Sequence, residues 1–271
     1  MSVNLFMILD PSVYAVLPFV LYYVLVASAT MMIHEWLILF DQEVSLMWNS
    51  PWNLVKVLYL ISRYSPILDV ALALQEHVQP YADPKTCLIN NDISTVSTGV
   101  GIAVSELILI VRTCALYGNC KKVVYGLGTV WTLWLSVNVW VVITFMKSTV
   151  FKYQPSSVLQ GCYLASDNPI LFVCFASLLL LEVLLLILHI WKALRLLRES
   201  RNNLVSTFFR DGVIYYMCLS PLTLGNVLVI LLAPVDMLDL LDSLMRVFHS
   251  TMCCRLLLGL RQTAVSVQRG S

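Results

Sequence analysis

Several ionisable side chains fall inside long apolar stretches of the sequence, and five of them are candidates to bind, neutralise or transfer charge. These residues are Arg63, Glu106, Glu182, Arg246 and His249. A charge at membrane depth is costly, so it normally faces the protein interior and finds a partner. The arginines and glutamates could therefore neutralise one another as structural ion pairs, or they could form the polar floor of a ligand, substrate or ion site.

Two of these residues also support an enzymatic interpretation. Glu106 and Glu182 would be the general acids of an intramembrane enzyme acting on a lipophilic substrate. No residue spacing demands that chemistry, so we expect no catalytic residue and regard an enzyme as the less favoured class. No Cys-x-x-Cys pair or His/Cys cluster has zinc spacing, so we expect neither a metal nor a cofactor.

The composition indicates where such residues must be held. Hydrophobic residues make up 59% of the chain and charged residues only 12%, whereas a soluble domain carries about 25% charge. The net charge of +1 gives no electrostatic attraction to nucleic acid. We therefore expect a protein that is embedded in the lipid bilayer and has no nucleic-acid partner.

Seven segments are long and apolar enough, or nearly so, to cross the membrane as helices. About 20 mostly apolar residues span the roughly 30 Å hydrocarbon core. We expect spans at about 13–40, 53–74, 93–116, 123–146, 168–196, 210–235 and 237–260, of which the second and the seventh carry more charge. The predicted fold is all-α, a polytopic seven-transmembrane-helix bundle in a single integral membrane domain over residues 1–271.

The distribution of Lys and Arg decides whether the two weaker segments cross. Short cytoplasmic loops carry an excess of these residues. If all seven segments cross, twelve of the Lys and Arg residues lie on one side of the membrane and three on the other, with Arg63 and Arg246 inside spans. This bias predicts an outer N-terminus and a cytoplasmic C-terminus. The first apolar run lacks the features of a signal peptide, so we expect it to remain in the mature protein.

Two of the eight cysteines lie in predicted outer loops. Cys87 precedes the third span and Cys162 precedes the fifth, whereas the other six lie in spans or on the cytoplasmic side. A disulfide between the two would tie the top of the third helix to the following outer loop and roof any cavity below it. Two free or separately buried thiols are the alternative.

Charged residues also gather on the predicted cytoplasmic face. A basic stripe continues the fifth helix beyond the membrane, and it contains Lys192, Arg195, Arg198 and Arg201. Such a stripe binds anionic lipid head groups or a cytosolic partner. Arg112 ends the third helix, and Asp41 and Glu43 form an acidic pair in the first inner loop. We expect this acidic pair to contact Arg112, Lys121 or Arg198 and lock the inner helix ends together.

The stretch from His34 to Tyr64 reads HEWLILFDQEVSLMWNSPWNLVKVLYLISRY, and three later stretches extend its pattern: VRTCALYGN (111–119), FRDGVIYY (209–216) and CRLLLGLR (254–261). Together they resemble a large uncharacterised family of multi-pass membrane proteins, a domain of unknown function, from mushroom-forming basidiomycete fungi. The matching positions of the first stretch are Leu37, Asp41, Glu43, Val44, Trp48, Lys56, Leu58, Tyr59, Arg63 and Tyr64. The resemblance implies a fungal seven-helix membrane protein and no particular activity.

A receptor-like sensor is the function that these features favour. Seven spans, an outer N-terminus, a Cys pair at the third helix and a basic inner face are shared with G-protein-coupled receptors, although topology alone does not fix function. A lipophilic or small-molecule ligand and a cytosolic signalling partner would follow. The alternatives are the intramembrane enzyme, a transporter and a membrane scaffold. We expect the plasma membrane or another membrane of the secretory route.

Overall fold

The structure is a computed structural model that describes residues 11–48, 50–78, 83–152, 162–166, 169–199, 203–232 and 241–270. Within these ranges the chain forms seven α-helices, and two short helices and two strands lie between them. The α-helices are α1 (Pro11–Glu43), α2 (Leu54–Val78), α3 (Pro84–Leu116), α4 (Lys121–Ser148), α5 (Phe172–Glu199), α6 (Asn203–Leu232) and α7 (Asp242–Gly270). A π-helix (Val44–Trp48) follows α1, and a 3-10 helix (Pro169–Leu171) precedes α5.

Six of the helices have the length and apolar composition needed to cross a membrane. The qualifying segments are Phe19–Trp48, Leu54–Gln75, Pro84–Leu116, Lys121–Ser148, Phe172–Arg195 and Tyr215–Leu232. An apolar helix exposes its side chains to lipid and satisfies its backbone hydrogen bonds internally. These helices support the prediction of an all-α, multi-pass membrane protein. α7 is not among the six, so a seventh crossing and the orientation of the chain remain predictions.

The third helix is longer than the sequence predicts. It begins at Pro84, before the expected start near residue 93, and so includes the polar residues Asn90, Asn91 and Asp92. Proline is well tolerated in the first turn of a helix, where its missing N–H would have no intrahelical partner. The polar run is therefore part of α3 rather than a loop before it.

The helices pack into two compact units, and α3 begins in one and ends in the other. The first, which we call the α4–α6 unit, contains Leu109–Thr149 and Ser166–Leu241. In this unit α5 packs on both α4 and α6. Its buried apolar side chains include Leu127, Val141, Phe145, Leu178, Leu181, Leu185 and Leu219.

The second unit, which we call the α1/α2/α7 unit, contains Asp10–Ile108, Val150–Ala165 and Asp242–Ser271. Here α1, α2 and α7 pack against one another. The buried apolar side chains include Leu25, Leu39, Met47, Leu58, Tyr59, Val70, Met245 and Leu258.

A proline inside α2 creates one of the contacts in the α1/α2/α7 unit. Pro66 has no N–H, so the carbonyl of Ser62, one turn earlier, loses its intrahelical donor. The Ser250 hydroxyl of α7 donates to that carbonyl at 2.6 Å. Side chains of neighbouring helices commonly satisfy the backbone groups that a proline frees in a membrane. α7 thus completes the hydrogen bonding of α2.

The segment between α4 and α5 contains a small covalently tied sheet. Strands β1 (Val150–Lys152) and β2 (Tyr163–Ser166) pair with each other. Cys162, directly before β2, forms a disulfide with Cys87 in the first turn of α3, and their Cα atoms are 5.7 Å apart. The predicted disulfide is therefore present, and it joins positions 75 residues apart in the sequence.

Candidate functional site

A buried ion pair joins the end of α1 to α2. The Nε atom of Arg63 lies 2.8 Å from Oε2 of Glu43, and both side chains are almost completely buried. Glu43 is the last residue of α1, and Arg63 lies in the first half of α2. Two charges removed from water are stable together only when good geometry and additional hydrogen bonds compensate their desolvation.

Three aromatic residues supply those additional contacts. The Tyr64 hydroxyl and the Trp48 indole N–H both donate to Oε1 of Glu43, at 2.9 and 3.3 Å. Arg63 Nη2 donates to the Trp36 carbonyl at 3.1 Å, and the Trp36 indole donates to the Arg63 carbonyl at 3.4 Å. The rings of Trp36 and Tyr64 pack edge to face. We call these five residues the Glu43 cluster.

The connection between α1 and α2 is held by cations. The ammonium of Lys56 donates to the carbonyl of Trp48 at 3.0 Å, which satisfies a backbone acceptor at the end of the π-helix. Asn53 caps the start of α2 by accepting from the backbone N–H of Lys56 at 2.9 Å. Arg261 of α7 donates to Asn53 Oδ1 at 3.1 Å and to the carbonyl of Leu46 at 2.9 Å. Lys56, Asn53 and Arg261 therefore hold the end of the π-helix, the start of α2 and α7 together, and we call them the clamp residues.

Two further arginines of α7 pair with carboxylates of α1 and α2. Arg255 forms a two-pronged pair with Glu35, in which Nε and Nη2 lie 2.8 and 2.7 Å from the carboxylate oxygens. Arg246 is fully buried, with Nε 3.0 Å from Asp69 Oδ2 and with Nη2 donating to the Ser65 hydroxyl. These ion pairs neutralise two charges of α7, so this helix packs in the α1/α2/α7 unit although its mean hydropathy is low.

The guanidinium of Arg246 occupies space that is open because residue 101 of α3 is a glycine. A Cβ atom at Gly101 would overlap the guanidinium group, whereas a Cβ at Gly99 would meet nothing within 4 Å. One turn further along α3, the carbonyl of Ser105 lies 3.6 Å from the thiol of Cys253. Small residues of α3 thus allow α7 to approach its backbone closely.

Glu106 and His249 are brought together by the fold. Their side chains are completely buried, and His249 Nδ1 lies 3.8 Å from Glu106 Oε1. This arrangement could share a proton between an imidazole and a carboxylate.

The α1/α2/α7 unit contains a small cavity beside these pairs. It has room for about one water molecule. The residues that line it are Met32, Glu35, Trp36, Arg63, Pro66, Val247, Ser250, Thr251 and Cys254. A cavity of this size suits a bridging water beside the carboxylate and the guanidinium, not a drug-sized ligand.

In the α4–α6 unit, Glu182 contacts a hydroxyl group. The Thr223 hydroxyl of α6 donates to Glu182 Oε1 at 2.9 Å, and both residues are fully buried. Two turns beyond Glu182 on α5, His189 Nδ1 lies 3.0 Å from the Leu185 carbonyl. Its ring packs at a tilt against Tyr216, with centroids 5.1 Å apart. Polar side chains here connect α5 to α6.

The described part of the basic stripe lies beside Tyr117, the residue directly after α3. The Lys192 ammonium lies over the Tyr117 ring, 5.5 Å from its centroid, and the Tyr117 hydroxyl donates to the Leu188 carbonyl at 2.9 Å. Burial raises the pKa of the Tyr117 hydroxyl, and the nearby guanidinium of Arg195 opposes that rise. Arg195 also lies over the Trp191 ring, 5.3 Å from its centroid.

Other residues of the predicted cytoplasmic face are described only in part. The side chain of Arg198 and the whole of Arg201 lie outside the described residues. Arg112 is buried near the end of α3, and Asp41 is exposed.

The observed ion pairs differ from those expected from the sequence. Glu43 pairs with Arg63 of the neighbouring helix, which was not among the partners expected for it, and its contact with Arg112, Lys121 or Arg198 stays a prediction. Arg246 likewise pairs with Asp69 of α2, a carboxylate that was not expected as its partner. The physical reason is that α2 packs directly against α1 and α7, so these neighbouring helices place the nearest carboxylates beside the arginines.

Sequence reasoning missed Glu35, Asp69 and Ser250 as members of the polar network. Glu35 and Asp69 fall within predicted spans, so the same cost of a charge at membrane depth would have marked both. Ser250 leaves no comparable signal, because its role depends on the carbonyl that Pro66 frees on another helix.

A comparison with models of protein families matches the region that contains the Glu43 cluster. The model of a family of unknown function (DUF6533) matches residues 23–68, which include the whole Glu43 cluster and the clamp residue Lys56. None of the curated proteins matches the chain. The matched region thus consists of most of α1, the π-helix and the first half of α2, and the description of the family assigns it no activity.

Proposed function

We propose that this chain is a receptor-like membrane sensor with seven spans, an outer N-terminus and a cytoplasmic C-terminus. The observation that carries the proposal is the disulfide between Cys87 and Cys162. It fixes the first turn of α3 to the β1–β2 segment, which favours an ordered cover on the outer side. A small lipophilic ligand bound beneath that cover would shift the equilibrium between two conformations of the protein.

The inner ends of the helices support the second half of the proposal. α1, α2 and α7 are joined there by the Glu43 cluster and by the hydrogen bonds of Arg261. By contrast, Arg195 at the end of α5 is exposed. Under the proposal a ligand shifts α5 and α6, and the stretch from Lys192 to Arg210 contacts a cytosolic signalling partner. A location in the plasma membrane or another secretory membrane, and an origin in a mushroom-forming fungus, belong to the same proposal.

The first test looks for a ligand and for its effect at the opposite end. The full chain is purified in mild detergent, and native mass spectrometry identifies any bound small molecule. Cys120, an exposed thiol in the turn between α3 and α4, serves as the reporter for labelling by a fluorescent maleimide. A sensor ligand should raise the melting temperature and change the rate of Cys120 labelling.

Two variants make this test specific. Cys120→Ser removes the reporter and defines the background from Cys218, which is also exposed. The double variant Cys87→Ser/Cys162→Ser should still fold in detergent but lose most of the ligand response, because the outer cover is no longer tied to α3. A ligand that stabilises the protein without altering Cys120 labelling would argue against a sensor, and intact binding in the double variant would argue against the roofed site.

A second candidate function is favoured by the buried Glu106–His249 pair. A carboxyl group and an imidazole 3.8 Å apart are the groups that an intramembrane acid–base enzyme would use on a lipophilic substrate. Glu106→Gln separates the possibilities. A catalytic Glu106 predicts a folded variant that no longer turns over the co-purified lipophile, whereas a structural Glu106 predicts a lower melting temperature.

A further inference from the structure

One face of α5 is apolar, exposed and ends in cations. Large apolar side chains recur on it every three or four residues, which places them on the same side of a helix. They are Leu180, Leu184, Ile187, Trp191 and Leu194, and all are exposed. With a rise of 1.5 Å per residue, the distance from Leu180 to Trp191 is about 16 Å. This is close to the roughly 15 Å that one leaflet contributes to the hydrocarbon core.

The end of this stripe combines cations with aromatic rings. Lys192 lies over the Tyr117 ring and Arg195 over the Trp191 ring. Because the Tyr117 hydroxyl is bound to the Leu188 carbonyl, the ring that supports Lys192 is fixed in place. Tryptophan and tyrosine are enriched at the level of lipid head groups, where one end of the side chain is apolar and the other is hydrated.

The two cations have no acidic partner among the side chains that the structure describes. The ion pairs of the described residues involve Arg63, Arg246, Arg255 and two histidines, and neither Lys192 nor Arg195 takes part in one. Lys192 and Arg195 lie about two turns and one turn before the last residue of α5, Glu199. Among the described side chains, no carboxylate competes with an outside anion for their donors.

We propose that this end of α5 is a binding site for one anionic phospholipid. Lys192 and Arg195 contact its phosphate, Trp191 lies at the level of the glycerol backbone, and an acyl chain follows the stripe towards Leu180. The match between the length of the stripe and one leaflet, together with the cations at its end, favours a lipid over a soluble phosphate compound.

The test measures lipid binding to the full chain in detergent. Native mass spectrometry follows titration with dioleoylphosphatidylglycerol and, separately, with dioleoylphosphatidylcholine, which has the same acyl chains but no net charge. We expect one tightly bound phosphatidylglycerol and a clear preference over phosphatidylcholine. The double variant Lys192→Gln/Arg195→Gln should weaken binding of phosphatidylglycerol by roughly thirtyfold, because two cations near an anionic lipid are lost.

The matched control is Lys121→Gln/Lys122→Gln. These two lysines begin α4 and are exposed, so the control removes the same charge without touching α5. It should keep the preference for phosphatidylglycerol. Equal weakening in both double variants would show general attraction to a basic surface and overturn the proposal.

Two further probes separate a lipid from other anions. Glycerol phosphate shares the head-group chemistry but has no acyl chain, and dihexanoylphosphatidylglycerol has only short chains. Both should compete poorly with the long-chain lipid, because neither reaches along the stripe to Leu180. Efficient competition by glycerol phosphate would instead indicate a soluble phosphate ligand and would also overturn the proposal. Melting curves of both double variants confirm that they are folded.

Discussion

The two units of the molecule use the same residue types in different ways. In the α1/α2/α7 unit, Arg63 and Arg246 are buried and each contacts a carboxylate of a neighbouring helix. In the α4–α6 unit, Lys192 and Arg195 lie at the end of α5 against aromatic rings. The role of a cation in an apolar sequence therefore depends on its surroundings. A nearby carboxylate makes it part of the packing between helices, whereas a position near a helix end leaves it available to other molecules.

The comparison explains why α7 has a weaker membrane signal than α5. A hydropathy average counts Arg246, Arg255 and Arg261 as costs, although Asp69 and Glu35 neutralise the first two and Asn53 accepts from the third. Apart from Glu182, α5 carries its charged residues near its C-terminal end, and its mean hydropathy is high. Arg246, Ser250 and Arg255 of α7 attach it to α1 and α2.

The largest expected effect comes from breaking the buried pair of Arg246 and Asp69. Arg246→Met leaves the Asp69 carboxylate without its main counter-ion, so we expect the free energy of unfolding to fall by about 3–5 kcal/mol. The measurement is thermal or denaturant-induced unfolding in detergent, followed by size-exclusion chromatography. Asp69→Leu should have a similar cost, because it leaves a buried guanidinium without its carboxylate partner.

The double variant Arg246→Met/Asp69→Leu is the control for this prediction. It removes both charges, so it should recover much of the lost stability, as replacements of buried ion pairs by apolar residues often do. If the double variant is as unstable as the sum of the two single variants, the residues act independently and the pair is not the reason for their burial.

A smaller effect is expected where α3 makes room for Arg246. Gly101→Ala places a methyl group where the guanidinium lies, so we expect a loss of roughly 1–3 kcal/mol in the free energy of unfolding. Gly99→Ala, two residues earlier on the same helix, has open space and should be neutral or slightly stabilising, because alanine favours helix. Equal melting temperatures for the two variants would contradict the close approach of α7 to α3.

Much of the fold could be predicted from the sequence, because the dominant signals are local. Apolar runs of about 20 residues predict five of the helices directly, and the distribution of Lys and Arg adds the second. The disulfide could also be predicted, because Cys87 and Cys162 are the two cysteines that fall in predicted outer loops. The extension of α3 to Pro84 was missed because Asn90, Asn91 and Asp92 are poor helix formers, and the tertiary context overrides that preference.

The pairing of the charged residues could be predicted only in part. The cost of burial identifies Arg63, Glu106, Glu182, Arg246 and His249 as residues that need partners, and Glu106 and His249 do meet in the fold. The sequence does not say which partner each one takes, because that choice depends on which helices are neighbours. Glu43 was expected to contact a distant basic residue, yet the return of the chain into α2 brings Arg63 to it.

An effect of about 1 kcal/mol is expected for the hydroxyl of Ser250. Ser250→Ala leaves the Ser62 carbonyl, which Pro66 has freed, without a donor, and the unfolding free energy should fall by roughly that amount. In a Pro66→Ala background the new N–H can donate to Ser62, so Ser250→Ala should then cost much less. The double-mutant cycle measures this coupling by thermal unfolding in detergent. A coupling energy of zero would show that the serine acts independently of the proline.

The smallest effect is expected for the cations of the α4–α6 unit. Arg195 is exposed, and its described contact is with the Trp191 ring, so Arg195→Gln should change the free energy of unfolding by no more than about 0.5 kcal/mol. Unfolding is measured in neutral detergent, under the conditions used for Arg246→Met. A loss of several kcal/mol would place Arg195 in the same class as Arg246 and remove the contrast between the units. An unchanged stability combined with weaker binding of phosphatidylglycerol would instead sharpen it, because the cation would then serve recognition of lipid and not packing.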